Sequence, residues 1–210
     1  MLYAAFDTET TGLSYTKDRI IELGAVIVDD SNNEIVDRFS ARINPHRSIN
    51  PGAQAVHGIS RKELEDEPEF KEVIYSFVDF LYPTSCIVAH NARFDINFIM
   101  CGIVRMRSKM LFEVFSKMLA LDTMLYSRSK YNDGKGNSLD DLADRLNVDR
   151  NERKDIHGAL IDSELLAGVI MEIEDRHNIE TKYVYNWTNL KKIKEVKTEN
   201  VNTHVDIDGN

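Results

Sequence analysis

The sequence predicts a mixed α/β domain, and two patterns carry that expectation. The chain opens with three apolar runs separated by turn residues, the mark of an antiparallel meander. It continues with short apolar strands alternating with stretches of helical periodicity. Its 210 residues, 42% hydrophobic and 29% charged, suffice for one full core and are short for two.

Taken in order, Leu2-Tyr3-Ala4-Ala5-Phe6 is a buried strand that runs into Asp7-Thr8-Glu9. Ile20 to Val28 is a second strand, apolar on both faces, and Asp29-Asp30-Ser31-Asn32-Asn33 turns it into a third from Glu34 to Ile43. Asn44-Pro45 and Asn50-Pro51-Gly52 break the pattern, leaving Ala53 to His57 room for at most a helical turn before Gly58. Ser60 and Glu63 have the spacing of a capping box, and Phe70, Val73, Ile74, Phe77, Val78 and Leu81 recur at helical spacing. An amphipathic helix ending near Pro83 is expected. Cys86-Ile87-Val88-Ala89 is a short buried strand that meets His90-Asn91-Ala92-Arg93, after which Phe94, Ile96, Phe98 and Ile99 indicate a helix. A strand near Met118 to Leu121 leads into Asp122-Thr123. Ser138 caps a helix bearing Leu139, Leu142, Ala143 and Leu146, and a last long helix extends from near Gly158 to Arg176. The composition changes at Asn178, where Tyr183, Tyr185 and Trp187 precede Lys191, Lys192 and Lys194. The expected division is a domain over 1–177 and a tail over 178–210, its aromatic stretch docking on the domain.

Charge and cysteine usage narrow the class. A net charge of −9 disfavours tight sequence-independent binding to nucleic acid, so any such substrate is held locally. Cys86 and Cys101 lie in apolar contexts without zinc-like spacing and read as reduced, packed thiols. No signal-like segment opens the chain and no apolar run approaches membrane-spanning length, so a cytoplasmic protein with no membrane partner is expected.

Chemistry concentrates on a few acids and one histidine. Asp7 and Glu9 stand two residues apart, so strand geometry puts both carboxylates on one face, half of a metal site; acids also end strands simply because they are solvated there. Thr10-Thr11-Gly12 follows, with hydroxyls and a permissive residue where the strand must turn. Asp95 shares the inward face of its helix with Phe98 and Ile99, and Asp162 does so with Leu165, Leu166 and Val169. A carboxylate on a core-facing stripe is costly unless it is paired or holds a cation. The helix dipole compensates Asp95 in a first turn, whereas Asp162 is expected in mid-helix without that help. His157, five residues before Asp162, would point away from it on an ideal helix, so it is assigned to the loop before the helix, with Gly158 easing its approach to the same cleft. There it has the chemistry of a general base.

Three segments, Asp7-Thr8-Glu9-Thr10-Thr11-Gly12, His90-Asn91-Ala92-Arg93-Phe94-Asp95 and His157-Gly158-Ala159-Leu160-Ile161-Asp162, resemble in order the three motifs of the DEDDh exonucleases. Val56-His57-Gly58-Ile59, Leu121-Asp122-Thr123 and Asn137-Ser138-Leu139-Asp140 are also similar, so the resemblance covers about Leu2 to Ile173. It implies a ribonuclease-H-like fold with a mixed five-stranded sheet flanked by helices, and removal of nucleotides in the 3′-to-5′ direction. It implies Asp7, Glu9, Asp95 and Asp162 as metal ligands and His157 as base. It further implies that Thr10, Thr11, His57 and Phe94 line the pocket of the terminal nucleotide and that Asn91 braces the site. Gly52 stands where many members carry a glutamate. The implied substrate is a single-stranded or frayed DNA 3′ end, the implied role proofreading, and the implied partner a DNA polymerase catalytic subunit. An RNA-trimming relative and a non-catalytic polymerase accessory protein are the rival readings. Four carboxylates are hard oxygen donors, which selects magnesium or manganese, and two ions roughly 4 Å apart would serve the attacking and departing oxygens.

Overall fold

The computed structural model describes residues 1–150 and 157–173. The expected boundary near 178, the tail, and the last residues of the final helix, 174–176, lie outside the described residues. Strands β1 (Leu2–Thr10), β2 (Ile20–Asp29) and β3 (Glu34–Arg42) form the meander; β4 (Cys86–Ala89) and β5 (Ala120–Asp122) complete a sheet of order β3-β2-β1-β4-β5. β1 pairs antiparallel with β2 and parallel with β4, so it is the central strand, where the two halves of the sheet meet. This is the mixed five-stranded sheet the sequence predicts.

Strand alternation sorts β1 onto two cores. Ala4 and Phe6 face one cluster with Ile74, Phe77, Phe98 and Ile99, contributed by α2 (Phe70–Leu81) and α3 (Ala92–Met106). Tyr3 and Ala5 face another with Leu142, Leu166, Val169 and Ile170, from α6 (Leu139–Leu146) and α7 (Ala159–Glu172). Asp7 and Glu9 continue the second series and Thr8 the first. The hairpin turn closes on Asp29, whose carboxylate accepts the Ser31 amide at 2.9 Å, with Asn33 at φ 60°.

Three expectations are corrected locally. Pro51–His57 is a full helix, α1, whose N-cap Asn50 accepts the Gly52 amide and which Gly58 ends at φ 73°. The Ser60 and Glu63 pair does close reciprocally, at 2.8 and 3.4 Å, but around the entry to a 3₁₀ turn over Lys62–Leu64. The long helix α2 starts later, from its own box of Glu69 and Glu72. Two further helices appear, α4 (Lys109–Phe115) and α5 (Thr123–Lys130). Asp122 caps α5, its Oδ1 accepting the amides of Met124 and Leu125 at 3.0 and 3.2 Å, an interaction typically worth about 1 kcal/mol. Both cysteines are buried free thiols. No helix among the described residues is long and apolar enough to cross a membrane.

Candidate active site

Three acids meet at the C-terminal end of β1. Asp7, Glu9 and Asp162 each offer an oxygen, and these oxygens lie within 4.8 Å of one another. Asp7 is half-buried, while Glu9 and Asp162 are 8% and 5% exposed. The first two arrive together because β1 is extended there; Asp162 arrives from α7, which packs on the same face of the sheet. Contrary to expectation, Asp162 sits in the first turn of α7, where the positive end of the helix dipole offsets part of its charge. Mutual repulsion remains, and three hard oxygen donors at this separation fit a divalent cation.

His157 precedes α7 in irregular structure, as the spacing requires, and its Nδ1 lies 3.1 Å from Asp162 Oδ2. Its side chain is 41% exposed against 6% for that of Asp162, so the ring reaches solvent while its partner is anchored.

Asp95 is not one of the three clustered acids. The Thr8 hydroxyl, from the neighbouring position on β1, donates to its Oδ1 at 2.7 Å. It is 2% exposed, and burial pushes its carboxyl up to about 7 despite that hydrogen bond. Because its folded pKa lies above its ordinary 3.8, the cost of ionising it appears as the pH rises past the ordinary value and is complete above about 7. Without added metal, Asp95→Asn is therefore expected to raise the melting temperature at pH 8, by roughly 2–4 °C per kcal/mol relieved. Near pH 3.5 the two proteins should melt alike; a shift of the same size at both pH values would contradict this account.

The surrounding loops are tied down by their own polar groups. Thr10 Oγ1 donates to the Gly12 carbonyl at 2.7 Å, and Thr11 Oγ1 accepts the Arg19 amide at 3.0 Å, so both hydroxyls hold the loop's shape. Gly12 has no left-handed φ; its missing side chain makes room for Asp18, whose Oδ2 would lie 2.6 Å from a Cβ. Leu13, which follows Gly12, is a large apolar group left 85% exposed. Asn91 turns the chain from β4 into α3 at φ 68°, its amide donating to Asp122 Oδ1 at 3.1 Å. Phe94 is half-buried against Phe98, ring centroids 4.8 Å apart. His57 is only 2% exposed. Burial holds its imidazole below the usual histidine value, against the opposing pull of Glu22 and the Thr10 backbone, and Nδ1 accepts the Ile59 amide at 3.0 Å.

A strand-borne pair of acids, a third acid from a helix and a histidine against it, on a five-stranded mixed sheet, define a class of metal-assisted hydrolase. The chain belongs to the exonuclease family: the RNase_T family model matches residues 4–170. Among characterised relatives it is similar to DNA polymerase III subunit epsilon. It is 38% identical to that of Buchnera aphidicola subsp. Acyrthosiphon pisum, over 77% of this chain and 68% of the relative. It is 37% identical to that of Pasteurella multocida, over 79% and 65%, and 35% identical to that of Escherichia coli, over 79% and 68%. The chain thus spans about two thirds of these relatives' length. Among solved structures, Exonuclease X in complex with 5′ overhanging duplex DNA superimposes with a TM-score of 0.64 at 26% identity, covering 84% of this chain and 93% of that one. The nuclease domain of 3′hExo, a DEDDh family member bound to rAMP, shares the fold with a TM-score of 0.67 at 17% identity, over 85% and 94%.

Proposed function

We propose that this protein is a metal-dependent 3′–5′ exonuclease that trims DNA 3′ ends and proofreads for a DNA polymerase. The convergence of Asp7, Glu9 and Asp162 within 4.8 Å, with His157 on the third of them, carries this reading. The family membership and the epsilon relatives support it.

In this reading Asp7, Glu9 and Asp162 would hold magnesium or manganese, with Asp95, whose Oδ1 accepts the Thr8 hydroxyl, as the fourth ligand, and such ions would neutralise the scissile phosphate and lower the pKa of the attacking water. His157 takes the proton from that water. With Nδ1 directed at Asp162, Nε2 is the atom that accepts it, and the exposure of the ring lets the proton pass on to solvent. Leu13 and Phe94 flank the terminal base, and Leu13 does so at the cost of its own hydration. His57, buried between Glu22 and the backbone of Thr10, forms the wall behind that pocket. Asn91 acts by shaping the turn ahead of Asp95.

End-labelled oligonucleotides test the reading directly. Single-stranded DNA and mismatched duplex should be shortened from the 3′ end one nucleotide at a time with magnesium or manganese, and left intact with chelator. RNA of matched sequence should be cut more slowly; equal or faster cutting would point to the RNA-trimming alternative. In the absence of DNA, millimolar manganese should raise the melting temperature, since a ligand bound only by the folded state stabilises it, by about 2.7 kcal/mol at one hundred times its Kd. No shift at any manganese concentration would remove the cation from the acid cluster.

A further inference from the structure

Glu22 lies on β2, 9% exposed, directly opposite Glu9 in the antiparallel register. Like charges facing each other across two strands are destabilising, so a second carboxylate at this point needs a counterweight. Its Oε2 accepts the backbone N–H of Ala159, the first residue of α7, at 2.8 Å, and its Oε1 faces Arg42 Nε at 3.5 Å. The residue that would ordinarily cap that helix, Gly158, has no side chain to do so. The capping carboxylate instead comes from a strand 137 residues earlier in the chain. Two residues along β2 and on the same face, Gly24 completes the seat. A Cβ there would lie 2.1 Å from the Ala159 carbonyl carbon and 2.2 Å from the Leu160 nitrogen, so α7 rests on bare backbone.

This helix end delivers both His157 and Asp162, and the strand beneath it pairs residue by residue with the one bearing Asp7 and Glu9. The bond from Glu22 to Ala159 therefore joins the two halves of the acid cluster without belonging to it. We propose that Glu22 is a positioning residue, which sets the spacing of Asp162 and His157 against Asp7 and Glu9 and thereby the affinity of the site for its cation. This rests on the metal-site reading above. Groups that orient metal ligands typically contribute about 10- to 100-fold to metal affinity or activity when removed.

The test compares the wild-type chain with Glu22→Ala and Glu22→Gln. Manganese binding without DNA is followed by electron paramagnetic resonance, exchange of the α7 amides by mass spectrometry, and kcat and KM on a DNA oligonucleotide. Glu22→Ala is expected to weaken manganese binding and lower kcat by about 10- to 100-fold each, with KM unchanged. Exchange at Ala159 to Ser163 should quicken. Glu22→Gln keeps an acceptor oxygen and should restore most of the loss. Wild-type manganese affinity and exchange in a folded Glu22→Ala variant would overturn the proposal, as would a Gln variant no better than Ala. If the Ala variant does not fold, Glu22→Asp takes its place, its carboxylate one methylene short of the Ala159 amide. A wild-type chain that binds no manganese would sink the metal-site reading, and the exchange data would still decide whether Glu22 holds the helix.

Discussion

Asp162→Ala should reduce hydrolysis of single-stranded DNA by roughly 1,000-fold or more, and the protein should remain folded. Two effects with opposite signs lead to this expectation. The carboxylate is one of three crowded oxygens, so in the absence of cation its removal relieves repulsion and costs the core little. In catalysis the same carboxylate helps hold the charge that stabilises the transition state by several kcal/mol, and each 1.4 kcal/mol is about a factor of ten. Asp7→Ala should behave alike, being less buried and equally part of the cluster. Circular dichroism would establish the fold, and single-turnover assays with purified protein the rate. Activity within tenfold of wild type in either variant would remove that residue from the mechanism.

His157→Ala is the second large effect: kcat lower by about 100- to 10,000-fold, with the metal-induced thermal shift retained. The signature lies in the pH profile. A base must be neutral to accept a proton, so wild-type kcat should climb with pH and then level off. Removing the ring should abolish the plateau and leave a small residual rate that keeps rising with hydroxide. Because Nδ1 leans on Asp162, His157→Gln tests whether any side chain able to contact that acid suffices. A Gln variant with full activity would reduce the histidine to a spacer. A flat wild-type profile would exclude it as base.

Much of this arrangement was legible in the sequence because it rests on short-range geometry. Alternation along β1 puts Asp7 and Glu9 on one face whatever the fold, and a five-residue gap forces His157 off the helix that carries Asp162. The apolar period of α2 and the serine before α6 likewise fix their elements locally. What stayed hidden depends on partners distant in the chain. α5 has almost no apolar face, and only the acceptor on Asp122 announces it. Thr8 reads as an ordinary strand residue until Asp95 arrives from 87 positions away. Asp95 itself reads as an equal of the other three acids, because sequence shows that an acid is on an inward face and not that a threonine hydroxyl occupies one of its oxygens. Glu22 sits in an apolar run and gives no sign of the helix it meets.

The position of β1, paired along both edges and carrying chemistry on both faces, has a consequence for how this chain can change length. One residue inserted between Ala5 and Asp7 would turn Asp7 and Glu9 toward the α3 layer and leave the α7 layer facing threonines, with neighbouring strands holding the frame in place. An enzyme altered this way would keep its composition and its acids and be silent. The exposed segment around Gly134, by contrast, bounds no strand pairing and should accept extra residues freely. Viable length variants of this protein should therefore accumulate between α5 and α6 and be missing from its first strand.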